Sequence, residues 1–508
     1  MRTSKRVLAV GVVLVSAAAI AVLAPFGSSS KASALPLPHP TVSDFQFISS
    51  SATPPTEAQC ESVGRTCFTP QAIQSAYNVA PLHSAGLTGK GITIAIVDSY
   101  GSDTMAHDLR VFNDAFGLPH MCGEEGIACA EGMPTFSELS LQGSPATKAQ
   151  PGNGTHQEDK SAWALEVALD VETSHAIAPG ANILLVHTPT AETLGVQGFP
   201  QMMAAEDYVV THHLAQVISQ SFASAEDAFG SSRSLQNLRY AFQHAEQNGV
   251  TVLGSSGDSG TANDRKTPVS QGGSLIATPT VEWPASDPLV TGIGGTYLCT
   301  DPTASAAQPR TTYVKPGIGA KCGSSVFNPG GIYAEVAWTF SGGGYSHVFP
   351  KPSWQNSLPA GSSFTGSTRG VPDVALQASS ATGALVYLSL PPDGEGGLNC
   401  PSGSACSTGW YDIGGTSLSC PQWAGLVAIA DQVNGGGLGL INPALYKIGA
   451  DPARYAADFY DIASGNTNQA VDSVPGYPAT AGWDAVTGLG TPNAANLVPD
   501  LVAAAHGH

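Results

Sequence analysis

The chain has 508 residues, and its 39 acidic side chains outnumber its 20 basic ones, which gives a formal net charge of −19 at pH 7. This charge excludes a protein that binds nucleic acids or anionic membrane surfaces through a basic face. Few basic groups and many carboxyl groups also suit an acidic medium, where protonation of the carboxyl groups lowers the net charge.

The N-terminal segment predicts an export signal. Three basic residues among the first six precede an apolar run at 7–23, and small residues at 32–34 offer a cleavage site. An uncleaved membrane anchor is the alternative, because the run is nearly long enough to span a bilayer. No later stretch is comparably long and apolar. We therefore expect cleavage of residues 1–34 to release a secreted protein of net charge −23 that is not attached to a membrane.

After a Pro-, Ser- and Thr-rich linker or loose arm at 35–66, the pattern predicts one α/β domain over 67–505. Alternating apolar strands and helices predict a mostly parallel central sheet with helices on both faces. The predicted strands are 91–98, 181–188, 215–222 and 250–256, and the predicted helices are 161–177, 199–213 and 234–248. The Gly- and Pro-rich segments 262–290 and 299–380 are expected to be long surface loops around a substrate cleft.

Eight of the nine cysteines lie in near pairs: Cys60 with Cys67, Cys122 with Cys129, Cys299 with Cys322, and Cys400 with Cys406. In an exported protein this spacing predicts four local disulfides, although spacing alone does not prove the connectivity. Metal binding is the alternative, but it lacks a CxxC spacing or an accompanying histidine pattern. Cys420 is left over, and we expect it to be a small buried hydrophobic residue.

Ser417 lies in a glycine-rich turn before an apolar helical run, GGTSLSCPQWAGLVA at 414–428, which is typical of a peptidase nucleophile. A serine hydroxyl is a poor nucleophile unless a neighbouring base takes its proton. One candidate base is His156, because Asp98 ends a strand in IVDSYG, a context similar to the subtilisin aspartate. Asn153 stands where a subtilisin histidine is expected, and His156 lies among polar residues. A subtilisin-type triad of Asp98, His156 and Ser417 is therefore the alternative interpretation.

Glu166 and Asp170 offer a carboxyl pair as the base. They are four residues apart on the helix predicted at 161–177 and so share one face. Most such pairs are solvated acidic stripes, but this helix is apolar on nearly every side, which predicts burial. A buried carboxyl pair shares a proton and has one raised pKa, as a general base working in acid requires.

Asp258 is a third candidate carboxyl group, in the glycine-rich turn GDSG that follows the strand at 250–256. Subtilisin-like sites carry an asparagine in this turn, whose amide donates to the oxyanion. An ionised aspartate would repel the developing negative charge, whereas a protonated one can donate a hydrogen bond. The alternative is a turn residue that bonds its own backbone.

These motifs together resemble the sedolisin family of serine-carboxyl peptidases. The pattern is GTSxSxP for the nucleophile, ExxxD on a helix and GDSG in a turn, with further matches at 283–296, 341–355 and 369–375. The resemblance implies a subtilisin-like fold and cleavage of peptide bonds at acidic pH. It also implies that Glu166 is the base, Asp170 orients it, Ser417 attacks and protonated Asp258 completes the oxyanion hole.

The C-terminal part resembles the calcium loop of that family, in FYDIASG (459–465) and TAGWDAVTGLG (480–490). The resemblance implies one calcium ion, with carboxylates and backbone carbonyls from Asp461, Asp484, Ile462, Thr480 and Gly482. Oxygen-only ligation suits calcium better than a transition metal. The alternative is that both aspartates only cap turns.

The sequence departs from the family pattern in two places. Residues 35–66 are too few for the long folded prosegment typical of the family, so we expect folding without one or with help from another chain. Phe222 stands where the family often has a tryptophan. This argues against an extended network of carboxyl groups and tryptophan, so we expect a structural role for Asp98. Protein or peptide substrates and a monomer are expected. A non-catalytic exported binding protein on a peptidase scaffold is the second alternative, and it gives buried Glu166 and Asp170 no purpose.

Overall fold

The computed structural model describes residues 39–40, 44–141, 157–188, 198–265, 273–314, 322–390, 407–465 and 474–507. All of them belong to one compact unit, Ala34–His508. The expected signal at 1–34, the candidate base His156 and the pair Cys400 and Cys406 lie outside the described residues.

The described part of the chain alternates strands and helices. The strands are β1 (His39–Pro40), β2 (Asp44–Ser49), β3 (Thr93–Ser99), β4 (Phe136–Ser140), β5 (Asn182–Thr188), β6 (Val217–Gln220), β7 (Phe222–Ala225), β8 (Thr251–Ser255), β9 (Glu282–Trp283), β10 (Thr291–Leu298), β11 (Glu335–Ala337), β12 (Gly344–Pro350), β13 (Thr368–Val371), β14 (Val374–Gln377), β15 (Ala384–Leu388), β16 (Gly409–Gly414), β17 (Phe459–Tyr460) and β18 (Thr491–Pro492). The helices are α1 (Glu57–Ser62), α2 (Pro70–Ala76), α3 (Ala80–Ser84), α4 (Met105–Phe116), α5 (Gln157–Ile177), α6 (Gly198–Thr211), α7 (Ser232–Gln236), α8 (Tyr240–Asn248), α9 (Thr416–Asn434), α10 (Asn442–Ala450), α11 (Pro452–Asp458) and α12 (Ala494–Ala505).

The central sheet has eight strands in the order β11-β10-β8-β6-β3-β5-β4, with β14 also paired to β10. Every pairing in this sheet is parallel except that of β10 with β11. The predicted class, an α/β fold with a mostly parallel sheet, is confirmed.

Strand β3 shows how the sheet separates two helical layers. Ile94 and Ile96 belong to the hydrophobic cluster that includes α5 and α9, whereas Ala95 and Val97 belong to the cluster that includes α6 and α8. Successive side chains of a strand point to opposite faces. Asp98, two residues beyond Ile96, therefore points toward the layer of α5 and α9.

Two predicted elements are interrupted. The strand expected at 215–222 is divided into β6 and β7 at Ser221, and the helix expected at 234–248 is divided into α7 and α8 at 237–239. The prediction of long surface loops at 262–290 and 299–380 is wrong in part, because these segments include β9 and β11 to β14. Strand β14 is buried beside β10 and has only four residues. Because so short a strand lies in a Gly- and Pro-rich segment, the sequence pattern did not predict it.

The predicted arm at 35–66 is part of the fold from Asp44 onward. Strand β2 pairs antiparallel with β16, which pairs with β15 on its other edge. The Arg65 guanidinium contacts the Asp44 carboxylate at 2.6 Å and fixes the start of β2. Alternation of Phe45 and Phe47 with polar residues is a strand pattern within a Pro- and Ser-rich segment.

Three of the predicted disulfides form, Cys60–Cys67, Cys122–Cys129 and Cys299–Cys322. Cys420 is a free buried thiol whose pKa burial raises to about 12, which makes it the inert residue expected. Within the described ranges, no helix combines the length and apolar character needed to cross a membrane.

Candidate active site

Ser417 is the second residue of α9, directly behind the turn Gly414–Gly415. Gly415 has φ of +134°, a conformation that side-chain-bearing residues avoid, and a Cβ on Gly414 would lie 2.2 Å from the Ser380 backbone nitrogen. The two glycines therefore let β16 turn sharply into α9. The Ser417 side chain is buried, and its hydroxyl donates to the Ser221 carbonyl oxygen at 3.5 Å.

Glu166 and Asp170 lie on α5 and are fully buried, as predicted. Burial raises the pKa of Glu166 well above its usual range, and the nearby carboxyl groups of Asp170 and Asp98 raise it further. A hydrogen bond from Ser417 acts in the opposite direction and lowers the pKa of Glu166. This contact is looser than a standard hydrogen bond, since neither Glu166 carboxyl oxygen has a partner at standard geometry. Catalytic hydrogen bonds are often long before substrate binds.

Asp98 joins this pair at the carboxyl end of β3. Its side chain is fully buried, and burial raises its pKa from 3.8 to about 8. Burial also raises the pKa of Asp170 well above its usual range, and Asp98 adds to that shift. Three carboxyl groups that perturb one another hold protons as a group and cannot all be ionised together. The structure thus places three buried carboxyl groups with raised pKa values behind the Ser417 hydroxyl.

Ser221 connects the cluster to the nucleophile, and sequence analysis missed it. Its hydroxyl donates to Asp170 Oδ1 at 3.0 Å, which lowers the pKa of Asp170, and its carbonyl oxygen accepts from Ser417. Ser221 is the residue at which the strand predicted over 215–222 breaks. Its position next to Phe222 was the one feature of the sequence that could have drawn attention to it. A serine within an apolar run cannot be assigned a role in catalysis until its hydrogen-bond partners are known.

Asp258 lies at the N-terminus of α9. Its Oδ1 accepts from the Thr416 backbone nitrogen at 2.7 Å and from Thr416 Oγ1 at 2.8 Å. The Gly257 nitrogen donates to Thr416 Oγ1 at 3.1 Å, so the GDSG turn is tied to the residue before the nucleophile. The structure therefore brings all four predicted catalytic residues together, and Thr416 is the link that sequence analysis did not single out.

In the predicted calcium loop, the carboxylates of Asp461 and Asp484 both accept hydrogen bonds from the backbone of residues 480–482. The Gly482 nitrogen donates to Asp461 Oδ2 at 3.1 Å, and the Thr480 nitrogen donates to Asp484 Oδ2 at 2.9 Å. Burial raises the pKa of Asp461, and it raises the pKa of Asp484 to about 7. A fully buried carboxyl group, Asp484, and a partly buried one, Asp461, without a cationic side chain against them among the described residues, fit a bound cation.

The donor set of this loop fits calcium better than a softer metal. No cluster of three or more His, Cys, Asp or Glu suited to a metal occurs in the described ranges, so further ligands from those ranges are backbone or hydroxyl oxygens. Thr480 has an ordinary backbone angle, so its side chain does not hinder a carbonyl ligand there. Its buried Oγ1 has no hydrogen-bond partner. Ile462 and Gly482 complete the predicted set.

Comparison with known proteins decides the family. A sequence model described as Peptidase_S8, subtilase family, matches residues 89–444. The chain belongs to the subtilase family. Kumamolisin from Bacillus sp. (strain MN-32) is 30% identical over 458 residues, which cover 88% of this chain and 66% of kumamolisin. Tripeptidyl-peptidase 1 from Homo sapiens is 27% identical over 381 residues, which cover 71% of this chain and 56% of that protein.

Within the subtilases, a solved structure indicates the narrower family. The structure of Pseudomonas sedolisin, a serine-carboxyl proteinase complexed with two molecules of pseudo-iodotyrostatin, is 25% identical with a TM-score of 0.59. The match covers 85% of this chain and 97% of that one. This subtilase is therefore a member of the sedolisin family, as its motifs predict. The chain spans between about half and two thirds of the length of the curated relatives it matches, from 52% to 66%.

The sedolisin site differs from the sequence expectation at Asp98. The expectation left Asp98 a structural role, because Phe222 replaces a frequent tryptophan. Phe222 is buried against Phe199 and offers no hydrogen-bonding group. Asp98 nevertheless perturbs both Glu166 and Asp170 electrostatically. Its place at the carboxyl end of β3, not the identity of residue 222, brings it into the cluster.

Proposed function

We propose that this sedolisin is a secreted serine-carboxyl endopeptidase that hydrolyses peptide bonds in proteins in acid. The observation that carries the proposal is the buried cluster of Glu166, Asp170 and Asp98 behind the Ser417 hydroxyl. Keeping several carboxyl groups desolvated is costly for a fold, and a binding scaffold has no use for them.

In the proposed reaction, Glu166 accepts the proton of the Ser417 hydroxyl as its oxygen attacks the carbonyl carbon of the scissile bond. The proton then passes to the departing amine, and an ester between Ser417 and the acyl half of the substrate remains. A water molecule, deprotonated by the same carboxylate, hydrolyses the ester and frees the serine. The contact between Ser417 and Glu166 supports these roles.

Asp170 and Ser221 hold Glu166 in position in this scheme. The Ser221 hydroxyl fixes Asp170, and Asp170 lies one helical turn from Glu166 on α5. Asp98 is a positioning residue that keeps a proton in the cluster, since its raised pKa of about 8 leaves it neutral in acid. One negative charge can then reside on Glu166 without a second one beside it.

Asp258 serves as a neutral donor to the oxyanion. Its Oδ1 is engaged by two hydrogen bonds from Thr416, so the proton of the neutral form belongs on Oδ2. Glu166 must be ionised and Asp258 must be protonated at once, which confines activity to a narrow range of acid pH.

One calcium ion is proposed at the C-terminal loop, held by the Asp461 and Asp484 carboxylates and the carbonyls of Ile462, Thr480 and Gly482. When bound, the ion would neutralise both carboxylates and join the segment after β17 to the segment before β18. The residues of the loop contribute by presenting oxygen atoms only. The ion has a structural role in the proposal and takes part in no catalytic step.

The test is hydrolysis of a denatured protein at about pH 3.5 and at pH 8, with the Ser417→Ala variant as control. We expect cleavage in acid only, abolished in the variant, with products of many lengths as endopeptidase action requires. Activity at pH 8 would instead favour the triad with His156, and inactivity at both values would favour a binding scaffold. Release of short N-terminal fragments alone would contradict endopeptidase action.

A further inference from the structure

The motif SGGGYSHVFPKPSWQ begins against the glycine-rich turn GDSG and has no part in the proposed reaction. Gly260, the last residue of the turn, donates its N–H to the Phe340 carbonyl oxygen at 3.0 Å. Gly257, the first residue of the turn, accepts from the Gly342 nitrogen at 2.8 Å. The two residues on either side of Ser341 therefore hold both ends of the GDSG turn.

Glycines are required where this segment passes between the GDSG turn and the C-terminal loop. A Cβ on Gly342 would lie 2.0 Å from the Ser256 carbonyl oxygen, and a Cβ on Gly343 would lie 2.0 Å from the Ala485 carbonyl oxygen. Non-bonded heavy atoms pack at about 3.5 Å, so no side chain fits at either position. The backbone of these two glycines is therefore in direct contact with both loops.

The Ser341 side chain fixes the position of this segment. It is fully buried, and its hydroxyl donates to the Val486 carbonyl oxygen at 2.7 Å and accepts from the Gly295 nitrogen at 2.9 Å. Gly295 belongs to β10, which pairs with β8, the strand that leads into the GDSG turn. Alanine in place of Ser341 would remove both hydrogen bonds that attach the segment to the central sheet and to the C-terminal loop.

Asp258 is thus held from two sides. Thr416 donates to its carboxyl group at 2.7 Å and 2.8 Å, and residues 340–342 hold the backbone of its turn. An oxyanion donor must lie within about 2.7–3.1 Å of the oxyanion, so a small shift of the turn weakens the hydrogen bond. We propose that Ser341 is a positioning residue that sets the place from which neutral Asp258 donates to the oxyanion. The inference rests on the proposed peptidase function, because that function makes Asp258 the donor.

A peptide aldehyde and the matching peptide alcohol separate this role from a structural one. The Ser417 oxygen adds to the aldehyde carbon as its proton passes to Glu166, and the carbonyl oxygen becomes an oxyanion beside Asp258. The alcohol occupies the same cleft but forms no oxyanion. The ratio of the two dissociation constants therefore measures stabilisation of the oxyanion, and a general loss of packing does not change it.

The test is isothermal titration calorimetry of the full chain at about pH 4 with acetyl-Ala-Ala-phenylalaninal and the corresponding alcohol. We expect Ser341→Ala to bind the aldehyde about tenfold more weakly than the wild type and the alcohol within about twofold of it. In the Asp258→Ala background, Ser341→Ala should cause no further loss of aldehyde binding. Ser75→Ala, which removes a buried hydrogen bond to the Gln308 carbonyl oxygen on α2, is the matched control and should keep both affinities.

Equal losses of aldehyde and alcohol binding in Ser341→Ala would overturn the proposal, and so would a loss that persists in the Asp258→Ala background. Melting curves show whether each variant is folded. If Ser341→Ala is not, Ser341→Cys keeps the shape and a weak donor and should show a smaller loss for the aldehyde alone. A wild type that binds the aldehyde no more tightly than the alcohol would contradict the proposed reaction together with this role. Tight aldehyde binding by the wild type and the Ser341 variant alike would contradict the role of Ser341 alone.

Discussion

Replacing Asp98 by asparagine should change how stability depends on pH. Asp98 is fully buried, and neither of its carboxyl oxygens has a hydrogen-bond partner among the described residues. Burial raises its pKa from 3.8 to about 8. Asparagine has nearly the same shape as the protonated carboxyl group but cannot ionise. The substitution therefore removes one proton equilibrium while leaving the packing of β3 against α5 in place.

The raised pKa of Asp98 fixes the sign and size of the effect. Between pH 4 and pH 8 the folded chain keeps a proton on Asp98 that the unfolded chain has lost, so the free energy of unfolding falls as pH rises. The contribution is complete below about pH 4 and decreases by about 1.4 kcal/mol per pH unit, to a total loss on the order of 5 kcal/mol at pH 8. The Asp98→Asn variant should lose this part of the slope.

Denaturant unfolding followed by tryptophan fluorescence at half-unit steps from pH 4 to pH 8 measures the slope. The Ser417→Ala background prevents self-digestion during the assay. Asp114→Asn, at an exposed helical position, is the matched control and should keep the parent slope. Parallel slopes for Asp98→Asn and the parent would show that Asp98 is ionised in the folded protein, and the carboxyl cluster would then be wrongly assigned.

Three further predictions concern the same site and the calcium loop. Ser221→Ala should lower kcat/KM about tenfold and move the acid limb of the pH profile to higher pH, because Asp170 loses a hydrogen bond that lowers its pKa. An unchanged profile would show that Ser221 has no role in the site. Asp258→Asn should retain more kcat/KM than Asp258→Ala, which should lose about a hundredfold to a thousandfold. The alkaline limb of the Asp258→Asn pH profile should flatten, and a limb identical to that of the wild type would exclude Asp258 as the protonated donor. A chelator should lower the melting temperature as Asp484→Ala does, because calcium at a hundredfold excess over Kd stabilises the folded chain by up to about 2.7 kcal/mol; metal-free protein with an unchanged melting curve would contradict the calcium site.

The sequence predicted those parts of the fold that local pattern determines. Apolar runs with β-branched residues gave the positions of β3, β5 and β8, and the unbroken apolar surface of α5 predicted burial of Glu166 and Asp170. Both carboxyl groups are fully buried in the structure. A four-residue periodicity is enough to place two side chains on one helix face, so this part of the site needed no tertiary information.

Long-range pairing decided the parts that sequence analysis missed. Strand β14 has four residues and is a strand because it pairs in parallel with β10. Strands β1 and β2 lie in a Pro- and Ser-rich segment whose composition predicts a linker, and their partners are more than a hundred residues away. Ser221 acquires a role only where β6 ends beside α5 and α9. None of these contacts leaves a periodic signal in the local sequence.

The identity of the general base is the central claim, and kcat/KM at about pH 4 on one peptide tests it most directly. The comparison needs the wild type and the single alanine variants at Glu166, His156 and Ser417, each confirmed to be folded by its melting curve. The account predicts that Glu166→Ala and Ser417→Ala abolish turnover, with a loss of at least about a hundredfold for the base, while His156→Ala remains within a few-fold of wild type. An inactive His156→Ala protein beside a fully active Glu166→Ala protein would contradict it and assign the proton transfer to histidine.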